Sequence, residues 1–123
     1  MSDYQVIATH RFKKHFKKVN KNSRWQAIFN EGATSFQSPW EFVIQCFITG
    51  EKVPAYYYVH EIVVSKEILQ GLRRQYPQGH LTTRVLELHL DGHNGDHLLM
   101  YVRIESEKIV CLLDIGTHSD LIR

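Results

Sequence analysis

Cysteine and proline are scarce in this chain: two cysteines and three prolines occur in 123 residues. Cys46 and Cys111 stand far apart with no Cys-x-x-Cys spacing, so neither a disulfide framework nor a thiolate zinc site is expected. Both read as buried apolar thiols. No stretch approaches the ~20 apolar residues of a membrane span, and the opening MSDYQVIATHRFKKHF lacks the apolar run of a secretory signal. The expectation is a soluble, cytoplasmic protein with no membrane partner. Ser-His-Asp order, a nucleophile elbow, a Gly-rich phosphate loop, internal repeats and low-complexity tracts are also missing. What is left is one domain, 1–123, with 43% apolar residues, long enough to bury a core.

Histidine is the abundant reactive type, with eight residues beside 15 Lys+Arg and 13 Asp+Glu. Its unperturbed pKa of ~6.5 lies near working pH, so the histidines mark where chemistry is to be sought. The net charge of +2 conceals an asymmetry. Residues 1–24 carry Arg11, Lys13, Lys14, Lys17, Lys18, Lys21 and Arg24 against Asp3 alone, a net of +6, while the remaining 99 sum to −4. Such a patch attracts a polyanion irrespective of its sequence, or is simply a solvated helix face.

Tyr4, Val6 and Ala8 alternate with polar residues and predict a first strand, after which Phe12, Phe16 and Val19 recur at helical spacing. Asn22-Ser23 ends that basic helix, and Trp25, Ile28 and Phe29 predict a second short helical turn ending near Gly32. Ser38-Pro39-Trp40-Glu41 reads as a capping box opening a helix that Gly50 closes. In the second half, 61–64 reads as a strand, and Ser65 caps a short helix over Ile68, Leu69 and Leu72 that stops before Pro77. Val85, Glu87 and His89 then alternate with Leu86, Leu88 and Leu90. Runs 98–104 and 109–115, joined by Glu105-Ser106-Glu107-Lys108, predict a β-hairpin. Helices gathered before antiparallel strands indicate an α+β domain, with helices packed on one sheet face.

Candidate chemistry concentrates at His60, at the segment from His89 through His93 and Asp96 to His97, and at His118, with Asp114 just before it. Histidines at every fourth position would stack on a helix, but Gly92, Asn94 and Gly95 make this segment a loop between strands. A metal site on His89, His93, Asp96 and His97 stays open as an alternative, but no metal or other cofactor is expected. His10, His15 and His80 are assigned no chemical role. Imidazoles and a carboxylate without a metal suit RNA cleavage by the ribose 2′-hydroxyl: one group removes its proton and another protonates the departing 5′-oxygen. A cation or hydrogen-bond donor should offset charge developing on the phosphate.

Three pieces occur in one order: Pro54-Ala55-Tyr56-Tyr57-Tyr58-Val59-His60, His93-Asn94-Gly95-Asp96-His97-Leu98-Leu99-Met100-Tyr101, and Gly116-Thr117-His118. This pattern resembles the YafQ-type toxins of the RelE/ParE toxin–antitoxin superfamily. The resemblance implies a microbial ribonuclease-like fold, a small curved antiparallel β-sheet with two helices on one face. It implies a ribosome-dependent endoribonuclease that cuts mRNA without a metal, with the ribosome, mRNA and a cognate antitoxin of ribbon-helix-helix type as partners. His60, His93, Asp96 and His118 become the implied catalytic positions, with His118 as general acid and Asp96 or another of the histidines as base. RNA contacts are expected from Lys13, Lys14, Lys17, Lys18, Lys21, Arg84, His97 and Arg103. His97 stands where the family carries tryptophan and is expected to stack on a base. Where the resemblance implies a cation, four positions before His118, the chain has Asp114, so Arg84 or Arg103 is expected to substitute. The alternative is a binding protein of this fold, weak or inactive as a catalyst, acting on another target. Insertions relative to the family are expected near 23–37 and 63–83.

Overall fold

In a computed structural model describing residues 3–30, 38–75 and 84–121, the chain forms five strands and four α-helices. Strand β1 (Gln5–Ala8) leads into α1 (His10–Asn20), and Thr9 caps that helix by accepting a hydrogen bond from the Phe12 N–H at 3.1 Å. The Thr9 hydroxyl also donates to the Leu112 carbonyl at 3.0 Å, so one side chain fixes the helix start to the sheet. A 3-10 turn (Ser23–Trp25) and α2 (Gln26–Phe29) follow. Helix α3 (Pro39–Thr49) begins as its capping box predicts, with Ser38 Oγ accepting from Glu41 N–H at 3.2 Å and Pro39 in the first turn. Gly50 closes it at φ 77°, a left-handed conformation that glycine adopts without strain.

Strand β2 (His60–Ile62) is shorter than the 61–64 run suggests and begins one residue earlier, at His60. Helix α4 (Lys66–Gln75) follows, and the Leu69 N–H donates to the Ser65 carbonyl. Strands β3 (Val85–His89), β4 (Leu98–Ile104) and β5 (Ile109–Gly116) complete the sheet in the order β1-β5-β4-β3-β2. The expected hairpin joins β4 to β5, with Lys108 at φ 53° in its turn. The α+β architecture is as read from the sequence, with one refinement: β1 joins β5 in parallel, so the sheet is mixed. A parallel pair needs a crossover, and the rest of the chain between β1 and β5 provides it.

The sheet buries both faces. One carries Leu88, Leu90, Leu99, Tyr101, Val110, Leu112 and Ile115, covered by Phe12 and Val19 of α1, Trp25, Ile28, and Val43, Cys46 and Phe47 of α3. The other carries Val85, Leu98, Met100, Val102, Cys111 and Leu113, against which Leu69 of α4 packs. Leu112 and Ile115 join the same cluster although three residues apart, because the β4–β5 register shifts at Met100/Tyr101, where Leu113 is the extra residue. Within the segment 23–37, expected as an insertion, Trp25 and Ile28 are core residues. Residues 31–37, with the expected helix end near Gly32, and Pro77 and His80 of the second expected insertion lie outside the described residues.

Candidate active site

Strand pairing builds the centre of the site. His60 at the start of β2 lies opposite Glu87 of β3, and His89 follows two residues later on the same face of β3. His60 Nδ1 faces the Tyr58 carbonyl at 2.8 Å, and its Nε2 lies 3.4 Å from Glu87 Oε1. Glu87 is 1% exposed and His89 5%. His89 Nδ1 faces the Gly95 carbonyl at 3.1 Å, so that nitrogen carries the ring proton and Nε2 keeps its lone pair. Burial pushes the His89 pKa below its usual value, and the nearby His60 and His118 rings push it the same way. Burial thus favours the neutral form of His89.

His118 lies beyond β5, its ring centroid 5.6 Å from that of His89. The same oxygen of Asp96, Oδ1, accepts from the His118 backbone N–H at 2.7 Å and contacts His118 Nδ1. These bonds, the backbone one first, hold the Asp96 carboxyl below the usual carboxylate range. An ionised Asp96 fixes the ring so that Nε2 is left for chemistry, as an orienting carboxylate does beside a catalytic imidazole. Thr117 N–H and Oγ1 both donate to Asp120 Oδ2, at 3.0 and 2.8 Å, and set the turn that presents His118.

The 91–97 loop is folded around a side chain. Asp91 accepts the backbone N–H groups of Asp96 and His97 at 3.2 and 3.1 Å and lies 2.5 Å from His97 Nδ1. A Cβ on Gly95 would come within 1.8 Å of Asp91 Oδ1, so this approach requires glycine. Gly92 takes φ 95° under the Tyr56 ring.

Several expected positions are relocated. His93 is exposed, its ring edge-on to Tyr58 at 4.1 Å, and His89 occupies the buried position among the imidazoles instead. His97 is not free to stack on a base: Asp91 holds one nitrogen, the Arg24 carbonyl lies 3.1 Å from the other, and Trp25 meets its ring edge-on. Arg103 lies at the far end of β4, ion-paired with Glu105 at 2.6 Å, donating to the Gly50 carbonyl and stacked over Tyr4. Arg84, 77% exposed, faces Glu61 from beyond the start of β3. Neither arginine reaches the imidazoles. The loop does not gather His89, His93, Asp96 and His97 as metal ligands; among the described residues the cluster with that capacity is His60, Glu87 and His89. Glu87 and Tyr58, whose ring packs against those of His60, His89 and His93, are site residues that the sequence reading did not assign. The Glu87-x-His89 alternation opposite His60 was the available signal.

Asp114 resolves differently from either expectation. It is 1% exposed, with Arg11 Nε 3.0 Å and His15 Nδ1 2.5 Å from its two oxygens. Its charge is matched by α1. On the other side of Asp96 a groove of about 670 Å³ runs between α1 and the 91–97 loop, lined among others by Lys18, Asn22, Arg24, Trp25 and Thr117. Lys13, Lys14, Lys17 and Lys18 are exposed along α1, and Lys21 is exposed at its C-terminal cap.

No family model matches the sequence, and no curated protein matches it. Solved structures do. A metal-bound toxin from Helicobacter pylori superposes with a TM-score of 0.60 at 20% identity, over 97% of this chain and 99% of its own. The YafQ chain of the E. coli DinJ-YafQ complex gives 0.57 at 15% identity, over 98% and 99%. The chain has a YafQ/RelE-type toxin fold. An archaeal RelE-RelB complex from Pyrococcus horikoshii matches at a TM-score of 0.52 and 13% identity, over 96% and 98%. On this YafQ/RelE-type frame, the imidazole cluster occupies the sheet end where β3 and β5 meet the 91–97 loop.

Proposed function

We propose that the chain is the toxin of a type II toxin–antitoxin system, a ribosome-dependent endoribonuclease that cleaves mRNA by acid–base catalysis without a metal. The observation that carries this reading is the pairing of a neutral, buried His89 with an Asp96-oriented His118 across 5.6 Å. Two imidazoles in such different surroundings divide the work of base and acid. His89 Nε2 takes the proton of the ribose 2′-hydroxyl, and the oxygen attacks the adjacent phosphorus. His118 Nε2 protonates the 5′-oxygen as its bond to phosphorus breaks, leaving a 2′,3′-cyclic phosphate and a free 5′-hydroxyl. Asp96 is a positioning residue in this scheme, and Glu87 faces His60 Nε2 beside it.

The exposed lysines of α1, with Lys18 and Arg24 in the groove, supply the field that holds RNA and ribosome. An antitoxin partner is supported by the solved complexes in which the similar chains YafQ and RelE occur, and a cytoplasmic location follows from this role. The antitoxin is of ribbon-helix-helix type. The reading as a binding protein without catalysis drew its support from Asp114, whose charge is offset by the contacts to Arg11 and His15.

Induction in a bacterial host with mapping of new mRNA 5′ ends tests the proposal. Arrest of translation with new ends, relieved by His118→Ala and by Asp96→Ala, is the expected result. Arrest without new ends, or undiminished in both variants, overturns it.

A further inference from the structure

We infer that His60, Glu87 and His89 form a binding site for a borderline divalent metal of the Zn²⁺ class, and that its occupation switches the nuclease off. One ligand atom from each residue lies within 4.8 Å of the others. The strand register produces this: His60 and Glu87 are cross-strand partners, and His89 is the next residue on the same face of β3.

The orientation of both rings favours metal binding over mere proximity. His60 Nδ1 is satisfied by the Tyr58 carbonyl at 2.8 Å and His89 Nδ1 by the Gly95 carbonyl at 3.1 Å. Each ring thus has its Nδ1 occupied and its Nε2 left for a ligand, the arrangement in which a backbone carbonyl fixes the tautomer of a ligating histidine. Glu87 offers the one anionic oxygen from a position 1% exposed. Tetrahedral coordination with bonds of about 2.0–2.1 Å separates ligand atoms by about 3.3 Å. The His60 Nε2 to Glu87 Oε1 separation is already 3.4 Å, so one edge of the polyhedron is preformed. Two nitrogens and one oxygen select Zn²⁺, Ni²⁺ or Cu²⁺ over Mg²⁺ and Ca²⁺, which take oxygen ligands. An ion there occupies the His89 lone pair that accepts the 2′-hydroxyl proton. The inhibitory consequence rests on the nuclease reading; the site itself does not.

Calorimetric titration of the untagged full chain with Zn²⁺, and the visible spectrum of the Co²⁺ form, test the site without reference to activity. One ion per chain is expected, with a Co²⁺ spectrum of low coordination number, and affinity at least about tenfold weaker in each of Glu87→Gln and His60→Asn. His93→Ala should bind as the parent does. Absence of stoichiometric binding, or equal affinity in parent, Glu87→Gln and His60→Asn, overturns the site. His60→Asn, at a half-exposed position, keeps the test decisive if Glu87→Gln does not fold. Cleavage undiminished with Zn²⁺ bound at these residues overturns the switch alone. A chain that binds Zn²⁺ here but never cleaves RNA refutes the nuclease reading and leaves the site standing.

Discussion

Asp114 of β5 and His15 of α1 meet at 2.5 Å, with Arg11 one helical turn earlier at 3.0 Å from the other carboxylate oxygen. The pairing joins the basic helix to the strand that leads to His118. Residues four apart on a helix share a face, so Arg11 and His15 reach the same carboxylate. Asp114→Ala should lower stability by about 1.5–3 kcal/mol, the scale of hydrogen bonds to charged groups, measured as a shifted urea midpoint. RNA cleavage by the folded fraction should survive. Loss of cleavage without loss of stability would place Asp114 in the chemistry instead.

Asp96→Asn retains shape but removes the charge that orients His118. Cleavage should fall by about 10²-fold or more, the range for a displaced general acid, with little change in RNA affinity. The KM against kcat split of the cleavage assay checks this, and an effect on KM alone would make Asp96 a binding group.

Burial lowers the His89 pKa from 6.5. The unfolded chain then binds a proton at mildly acid pH that the folded chain refuses, so this contribution to stability is present above 6.5 and lost as pH falls through the folded value. Asp96 and Asp120, both held below 3.8, add stability that is present above 3.8 and disappears only at lower pH. Denaturation followed across pH should show two successive losses, and His89→Gln should abolish the first. A single loss in the parent chain would contradict the neutral assignment of His89.

Gly95→Ala forces a Cβ into the Asp91 carboxylate. Moving Asp91 forfeits its bonds to Asp96 N–H and to both nitrogens it holds on His97, at about 1.5–3 kcal/mol for bonds of this kind. Because the Gly95 carbonyl also orients His89, cleavage should fall with stability. Thermal melting and the cleavage assay on the same variant measure both, and a variant as stable and active as the parent would refute the geometry of the loop.

Replacing Lys13, Lys14, Lys17, Lys18 and Lys21 by glutamine should weaken RNA binding for every sequence alike. The slope of log affinity against log salt should become shallower by about 0.7 for each single-strand phosphate that the helix no longer neutralises. Titrations at several salt concentrations check this. An unchanged slope would mean that the helix face is merely solvated.

Periodicity and capping along the chain fixed the local elements that carry them: α1 from Phe12, Phe16 and Val19, α3 from Ser38 to Gly50, and the β4–β5 hairpin. The sequence also placed the 91–97 loop, because Gly92 and Gly95 exclude a helix there. His60, Asp96 and His118 were legible as candidates because titratable residues stand out in a chain with no rival motif. Which groups touch became legible once strands and helices were packed together. Strand register put Glu87 opposite His60 and His89 next on the same face, whereas the resemblance had implied His93. Helix packing against β5 turned Asp114 from a charge facing phosphate into the partner of Arg11 and His15. Contacts between residues about a hundred positions apart depend on register and packing, which periodicity along the chain does not encode.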